Sequence, residues 1–125
     1  MLNDIPRLPE PEPGNLVEIR QALMRSRQYI YRREQLAGYL VSEDYIKKLV
    51  QMYEIFTDLE DTDSLEMLCD ILQNIVILND ASIIEYMIRD DIIFDLVGIL
   101  EYDPRFQPNS RPNYRDTLKS IKFKQ

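Results

Sequence analysis

The stretch "QLAGYLVSEDYIKKLVQMYE", Gln35 to Glu54, is followed forty-seven residues later by "SIIEYMIRDDIIFDLVGILE", Ser82 to Glu101. Laid over each other, Tyr39 meets Tyr86, Asp44 meets Asp91 and Ile46 meets Ile93; Leu49, Val50 and Glu54 meet Leu96, Val97 and Glu101. Most other matched positions exchange one apolar residue for another, such as Leu40 for Met87 and Met52 for Ile99. The apolar residues within each copy recur at three and four, the spacing of one helix face. A helical unit this short cannot bury its apolar face alone, so a second unit must stack against it.

A period of about 40 to 47 residues holding two or three helices is the signature of HEAT and armadillo repeats. The expected fold is therefore all-α, an armadillo/HEAT-like right-handed superhelical repeat fragment of about six to seven helices. Helices are expected at 16–27, behind an Asn15 cap, and at about 30–41. Ser42 is expected to cap a long helix running to Leu59, with Ile46, Leu49, Val50, Tyr53 and Phe56 inward. Asp61 or Thr62 should cap the next helix, about 63–78, which is apolar on nearly every side and so belongs between neighbours. Asn79 and Asp80 should cap a short helix over 81–89, and Asp90 or Asp91 another over 91–103. Pro104, Pro108 and Pro112 should keep 104–112 irregular, with a last helix starting near Asn113. Residues 1–14 contain "IPRLPEPEPGN", read as an extended proline-rich linker or a strap over the first helix, and 15–125 as the helical-repeat domain. Two clear copies are few for a free-standing solenoid, so the repeat is expected to be a fragment of a longer one.

Composition narrows the chemistry. The chain has 125 residues, only three glycines and no histidine. A chain this long can bury roughly two thirds of its unfolded surface. Lack of histidine removes the commonest general base and transition-metal ligand. Cys69 is the only cysteine, which excludes an internal disulfide and a cysteine-rich zinc site. It sits among Leu65, Leu68 and Leu72 at helical spacing and reads as a small buried hydrophobe. No catalytic triad, phosphate-cradling glycine loop or dinucleotide fingerprint is present, and no cofactor is expected. The net charge of −7 hides an asymmetry: +1 over residues 1–53, −13 over 54–103 and +5 over 104–125. A centre this acidic repels phosphate backbones, so nucleic acid is not an expected partner. The apolar run "IVIL" is far too short for a bilayer, so no membrane role is expected either.

The candidate contacts are therefore surface residues. Arg32-Arg33 and Lys47-Lys48 sit on helices otherwise given to the core, so they mark outward faces; the functional reading is a patch for an acidic or phosphorylated peptide. Ordinary solvated surface explains any single pair as well. Asn74 interrupts the most apolar helix, either to hold a peptide backbone or as a satisfied polar position. Tyr102 in "LEYDP" is expected partly exposed at a helix end. Asp90, Asp91 and Asp95 define an alternative of another class, a small metal-dependent hydrolase, although acids at a helix start need no catalytic explanation. "DLEDTDSLE" lacks the glycine and terminal spacing of a calcium loop.

Several stretches carry a resemblance. "LPEPEPGNL", "YIKKLVQMYE", "LEDTDSLEMLCDILQNIVILND", "EYMIRDDIIFDLVGILEYDP" and the closing "KFK" resemble the central armadillo-like domain of the protein phosphatase 4 regulatory subunit 3 family, the SMEK or falafel family. "YIKKL" and "LEYDP" are its most distinctive parts. The resemblance implies a non-catalytic subunit that helps a Ser/Thr phosphatase choose substrates, with the chemistry done by a metallophosphatase in another chain. It implies phosphatase 4 catalytic and scaffold subunits as partners of the full-length protein, together with substrate or adaptor proteins, in nucleus and cytoplasm. In such proteins an EVH1-type domain that reads proline-containing motifs precedes the armadillo-like part. A helical-repeat scaffold unrelated to phosphatases, in transport or chromatin, is the competing reading.

Overall fold

A computed structural model describes residues 8–28 and 33–105. Among them seven α-helices follow one another: α1 (Leu16–Arg27), α2 (Arg33–Ser42), α3 (Tyr45–Val50), α4 (Met52–Asp58), α5 (Thr62–Val76), α6 (Ala81–Met87) and α7 (Ile93–Leu100). Strands are absent among the described residues. The helix expected near Asn113 lies outside them.

The helices pack in equivalent pairs. α1 lies on α5, α2 on α6, and α3 and α4 on α7. The described residues thus form two units laid one on the other, α1–α4 and α5–α7, in which α3 and α4 together take the place that α7 alone fills in the second. Sequence alone places α5 between the two copies; the structure makes it the first helix of the second. Its counterpart α1 is displaced by two residues from the forty-seven-residue register. Buried Leu16, Ile19 and Leu23 match buried Leu65, Leu68 and Leu72 at an offset of forty-nine. Elsewhere the register of forty-seven holds in burial: Leu36 with Ile83, Leu40 with Met87, Tyr45 with Ile92, Leu49 with Leu96 and Met52 with Ile99 are all core residues. Ile46 is fully buried, whereas Ile93, at the start of α7, is only partly covered.

The stack explains the apolar character of α5. It touches α1, α4, α6 and α7, so most of its circumference needs apolar side chains. Leu65, Leu68, Cys69, Ile71, Leu72 and Ile75 are buried there. Burial pushes the Cys69 thiol up to about 12, and its Sγ faces the Leu100 carbonyl at 3.9 Å. The thiol is thus protonated at neutral pH and behaves as core.

Helix ends differ from the expected caps in several places. Asp61 and Asp80 cap as expected, accepting the Ser64 and Ser82 backbone N–H at 3.1 and 2.9 Å. Asn15 occupies the cap position of α1 but turns away from it. Its Oδ1 accepts from Glu12 N–H at 3.0 Å and its Nδ2 donates to the Glu10 carbonyl at 2.8 Å, which organises the preceding segment instead. Ser42 is the last residue of α2 rather than a cap, its hydroxyl donating to the Tyr39 carbonyl. The long helix expected over 42–59 is two helices. Gln51 parts them while keeping helical dihedrals and its N–H on the Lys47 carbonyl at 3.0 Å, and no neighbouring side chain accounts for the break. The cap position of α7 is Ile92, without a side-chain bond; Asp91 is engaged elsewhere.

With so few glycines, left-handed helix ends fall to other residues: Asp44, Glu60 and Asn79 have φ of 53°, 53° and 54°. At α4 the Asp61 N–H reaches the Phe56 carbonyl and the Glu60 N–H the Thr57 carbonyl, the bond pair that normally places glycine at this position. Asp and Asn tolerate this conformation; glutamate is held there against an intrinsic cost of about 1 kcal/mol. Glu60 is exposed, so Glu60→Gly is expected to raise unfolding free energy by about 0.5–1 kcal/mol in urea melts.

Gly98 on α7 is a close-approach glycine. A Cβ there would sit 2.9 Å from Cζ and the hydroxyl of Tyr53 on α4. A larger side chain must push the Tyr53 ring out of the α4–α7 contact. Gly98→Val is therefore expected to destabilise by about 1–3 kcal/mol.

Candidate functional site

Lys47 and Lys48, adjacent on α3, point to different places. Lys47 Nζ is 3.6 Å from Asp91, across the junction in the second unit. Lys48 Nζ is 2.9 Å from the Glu10 carboxylate in the proline-rich segment. The described residues 8–10 of that segment form a strap against α3. Leu8 is buried in the core, the Tyr45 hydroxyl donates to the Pro9 carbonyl, and Glu10 meets Lys48. Burial raises the Tyr45 hydroxyl well above its ordinary range, so it stays a donor at any physiological pH.

A second polar cluster joins the units at matched positions. Tyr86 donates to Asp44 Oδ1 at 2.7 Å. Burial, and then this bond to Asp44, push the Tyr86 hydroxyl up to about 12. The Arg89 guanidinium lies 4.6 Å over the Tyr86 ring and grips Asp91 through two bonds of 3.0 and 2.7 Å. That grip holds the Asp91 carboxyl below its ordinary value. Asp91 is thus shared by two cations, Arg89 and Lys47, and serves as a junction. Among the described residues, no three His, Cys, Asp or Glu side chains are grouped as a metal site, and none of their helices is long and apolar enough to cross a membrane.

The other candidates are dispersed. Arg33 opens α2 and is exposed; Arg32 lies outside the described residues. Asn74 sits on the α1–α5 contact, its Oδ1 accepting from Arg27 and its Nδ2 donating to the Asp70 carbonyl at 2.8 Å. Tyr102 is half-buried against the core. These residues belong to α2, α3, α5 and the end of α7. Beside Asn74, Arg20 of α1 is ion-paired with Asp70 of α5. Sequence reasoning missed Glu10, Tyr45, Arg20 and Arg27 as contact makers. Opposite charges at long separation leave no periodic trace, and only the leucine and acids among the prolines of "LPEPEP" hinted at a docked segment.

Asp103 closes α7 as a buried charge, 3% exposed. It accepts from Gln73 of α5 at 2.7 Å and from the Arg105 backbone N–H at 2.9 Å. The Arg105 guanidinium, more than any other neighbour, holds its carboxyl well below the ordinary 3.8. A lowered carboxyl stabilises the fold fully above its unfolded value and stops doing so as pH falls through the folded one. Asp61 and Asp80, lowered by their Ser64 and Ser82 bonds, act with the same sign. Helicity by circular dichroism is thus expected to stay flat from about pH 7 to pH 5 and to fall below about pH 4.

The phosphatase 4 regulatory subunit 3 family model matches residues 17–125. The chain belongs to that family. Serine/threonine-protein phosphatase 4 regulatory subunit 3 of Drosophila melanogaster is 39% identical over 112 residues, 89% of this chain. An uncharacterized protein of Schizosaccharomyces pombe is 43% identical over 120 residues, 94% of this chain. The chain spans 11% and 14% of the lengths of those two relatives. No solved structure matches it. The family match covers both stacked units apart from Leu16, the first residue of α1.

Proposed function

We propose that this chain is a non-catalytic protein-interaction module within a phosphatase 4 regulatory subunit, and that it helps bring partners or substrates to a Ser/Thr phosphatase. The observation that carries this reading is the family match over residues 17–125. A stack of helical units supports it physically, because such stacks offer long lateral faces to other proteins. The catalytic and scaffold subunits of phosphatase 4 are the proposed partners of the full-length protein, with substrate or adaptor proteins beside them, in nucleus and cytoplasm. The metal chemistry of dephosphorylation lies in the catalytic partner.

Affinity capture from cells tests the reading. Full-length protein is expected to recover the phosphatase 4 catalytic and scaffold subunits or substrate proteins, and protein lacking residues 15–125 to lose at least one of these classes. Equal recovery of every class by both would overturn it.

A further inference from the structure

The strap supplies what the scattered cations alone do not: a resident ligand. Leu8 is buried, the Pro9 carbonyl takes the Tyr45 hydroxyl, and the Glu10 carboxylate meets Lys48 Nζ at 2.9 Å. Three consecutive residues of one extended segment thus read three features of α3 and its surroundings: an apolar seat, a hydroxyl donor and a cation. The strap is held by side chains and two carbonyls, that of Pro9 on the Tyr45 hydroxyl and that of Glu10 on Asn15 Nδ2; no ladder of backbone bonds ties it to α3 among the described residues. Glu12, Pro13 and Gly14, which link it to α1, are exposed. Those features mark a segment that can leave without unravelling a helix.

We propose that the surface under the strap, centred on Tyr45 and Lys48, is a docking site for an extended leucine-proline-acid segment of a partner protein, and that residues 8–10 occupy it in cis as an internal competitor. Charge complementarity sets the occupant: the cation requires an acid two positions after the apolar residue, as Glu10 follows Leu8. An intervening proline suits an extended segment, since it needs no backbone donor and has little conformational freedom to lose. The seat is specific because the hydroxyl and the ammonium must both be satisfied when the apolar side chain is in place. The proposal rests on the reading of this chain as an interaction module. Its test contains no phosphatase, so the two fail separately.

The probe is a blocked synthetic peptide of residues 6–14, "PRLPEPEPG", titrated into isotope-labelled full chain and followed by NMR. Leu8→Asp chain, with its own strap dislodged, is expected to bind the peptide with shifts centred on Tyr45 and Lys48. Wild-type chain should bind it at least tenfold more weakly, because its site is filled. Adding Lys48→Glu should abolish binding, and a peptide carrying Glu10→Lys should restore it. Glu10→Lys chain alters only an exposed side chain and should likewise gain binding, which covers the case in which Leu8→Asp does not fold. A helical Leu8→Asp or Glu10→Lys chain that fails to bind, or that binds both peptides equally, would overturn the proposal. So would sedimentation of wild-type chain as a dimer that the peptide dissolves, since the occupant would then be a second copy's strap.

Discussion

Leu72→Ala is expected to be among the most damaging single substitutions in this chain, lowering unfolding free energy by about 3–5 kcal/mol. Leu72 is 0% exposed on α5. That helix is in contact with helices of both units, α1 and α4 on one side of the chain order and α6 and α7 on the other. Truncation leaves a cavity whose walls belong to a stack rather than to one mobile loop, so they cannot collapse cheaply. Domains of this size are stable by roughly 5–15 kcal/mol, so the loss removes a large share of the total. Urea unfolding followed at 222 nm measures it. A loss under about 1 kcal/mol would show that α5 is not the shared core of the two units.

Ala37→Glu is expected to cost more than about 3 kcal/mol, because a carboxylate would be forced into an apolar site without a partner. Ala37 is 1% exposed on α2, the helix that lies against α6. Its match in the second unit, forty-seven residues on, is Ile84, which is 41% exposed. The same ladder position is closed in the first unit and open in the second, as stacking requires: α6 covers α2, and no described helix covers α6 in the same way. Ile84→Glu is therefore expected to cost about 1 kcal/mol or less. Thermal or urea melts of the pair give the contrast directly. Comparable losses at the two positions would mean that the equivalence of α2 and α6 is wrong.

Much of this architecture was legible in the residues. The matched apolar positions from Leu36 to Met52 and Ile83 to Ile99 announced both the helices and their stacking, since a side-chain period of three and four survives any packing environment. Asp61 and Asp80 announced their helix starts because short acidic side chains bond the first free N–H groups. Three things escaped. α1 is a repeat copy, but its two-residue shift against α5 hid it from a comparison at fixed offset. The break at Gln51 carries no proline or glycine to mark it. Asn15, Ser42 and Asp91 had the composition of caps, yet each made its bonds with competing partners, Asn15 with Glu12 N–H and the Glu10 carbonyl, Ser42 with the Tyr39 carbonyl, and Asp91 with neighbouring Arg89 and distant Lys47. The site was less legible than the fold. Lys47 and Lys48 do face outward, but each is answered by an acid far away in sequence, Asp91 or Glu10, and no local pattern encodes that pairing.

Methyl-to-methyl nuclear Overhauser contacts in isotope-labelled chain test the stacked arrangement most directly. The account predicts cross-peaks linking Leu23 of α1 to the leucines of α5, Leu36 or Leu40 of α2 to Ile83 or Met87 of α6, and Leu49 of α3 to Leu96 of α7. Strong contacts inside each unit with none between α2 and α6 would contradict it.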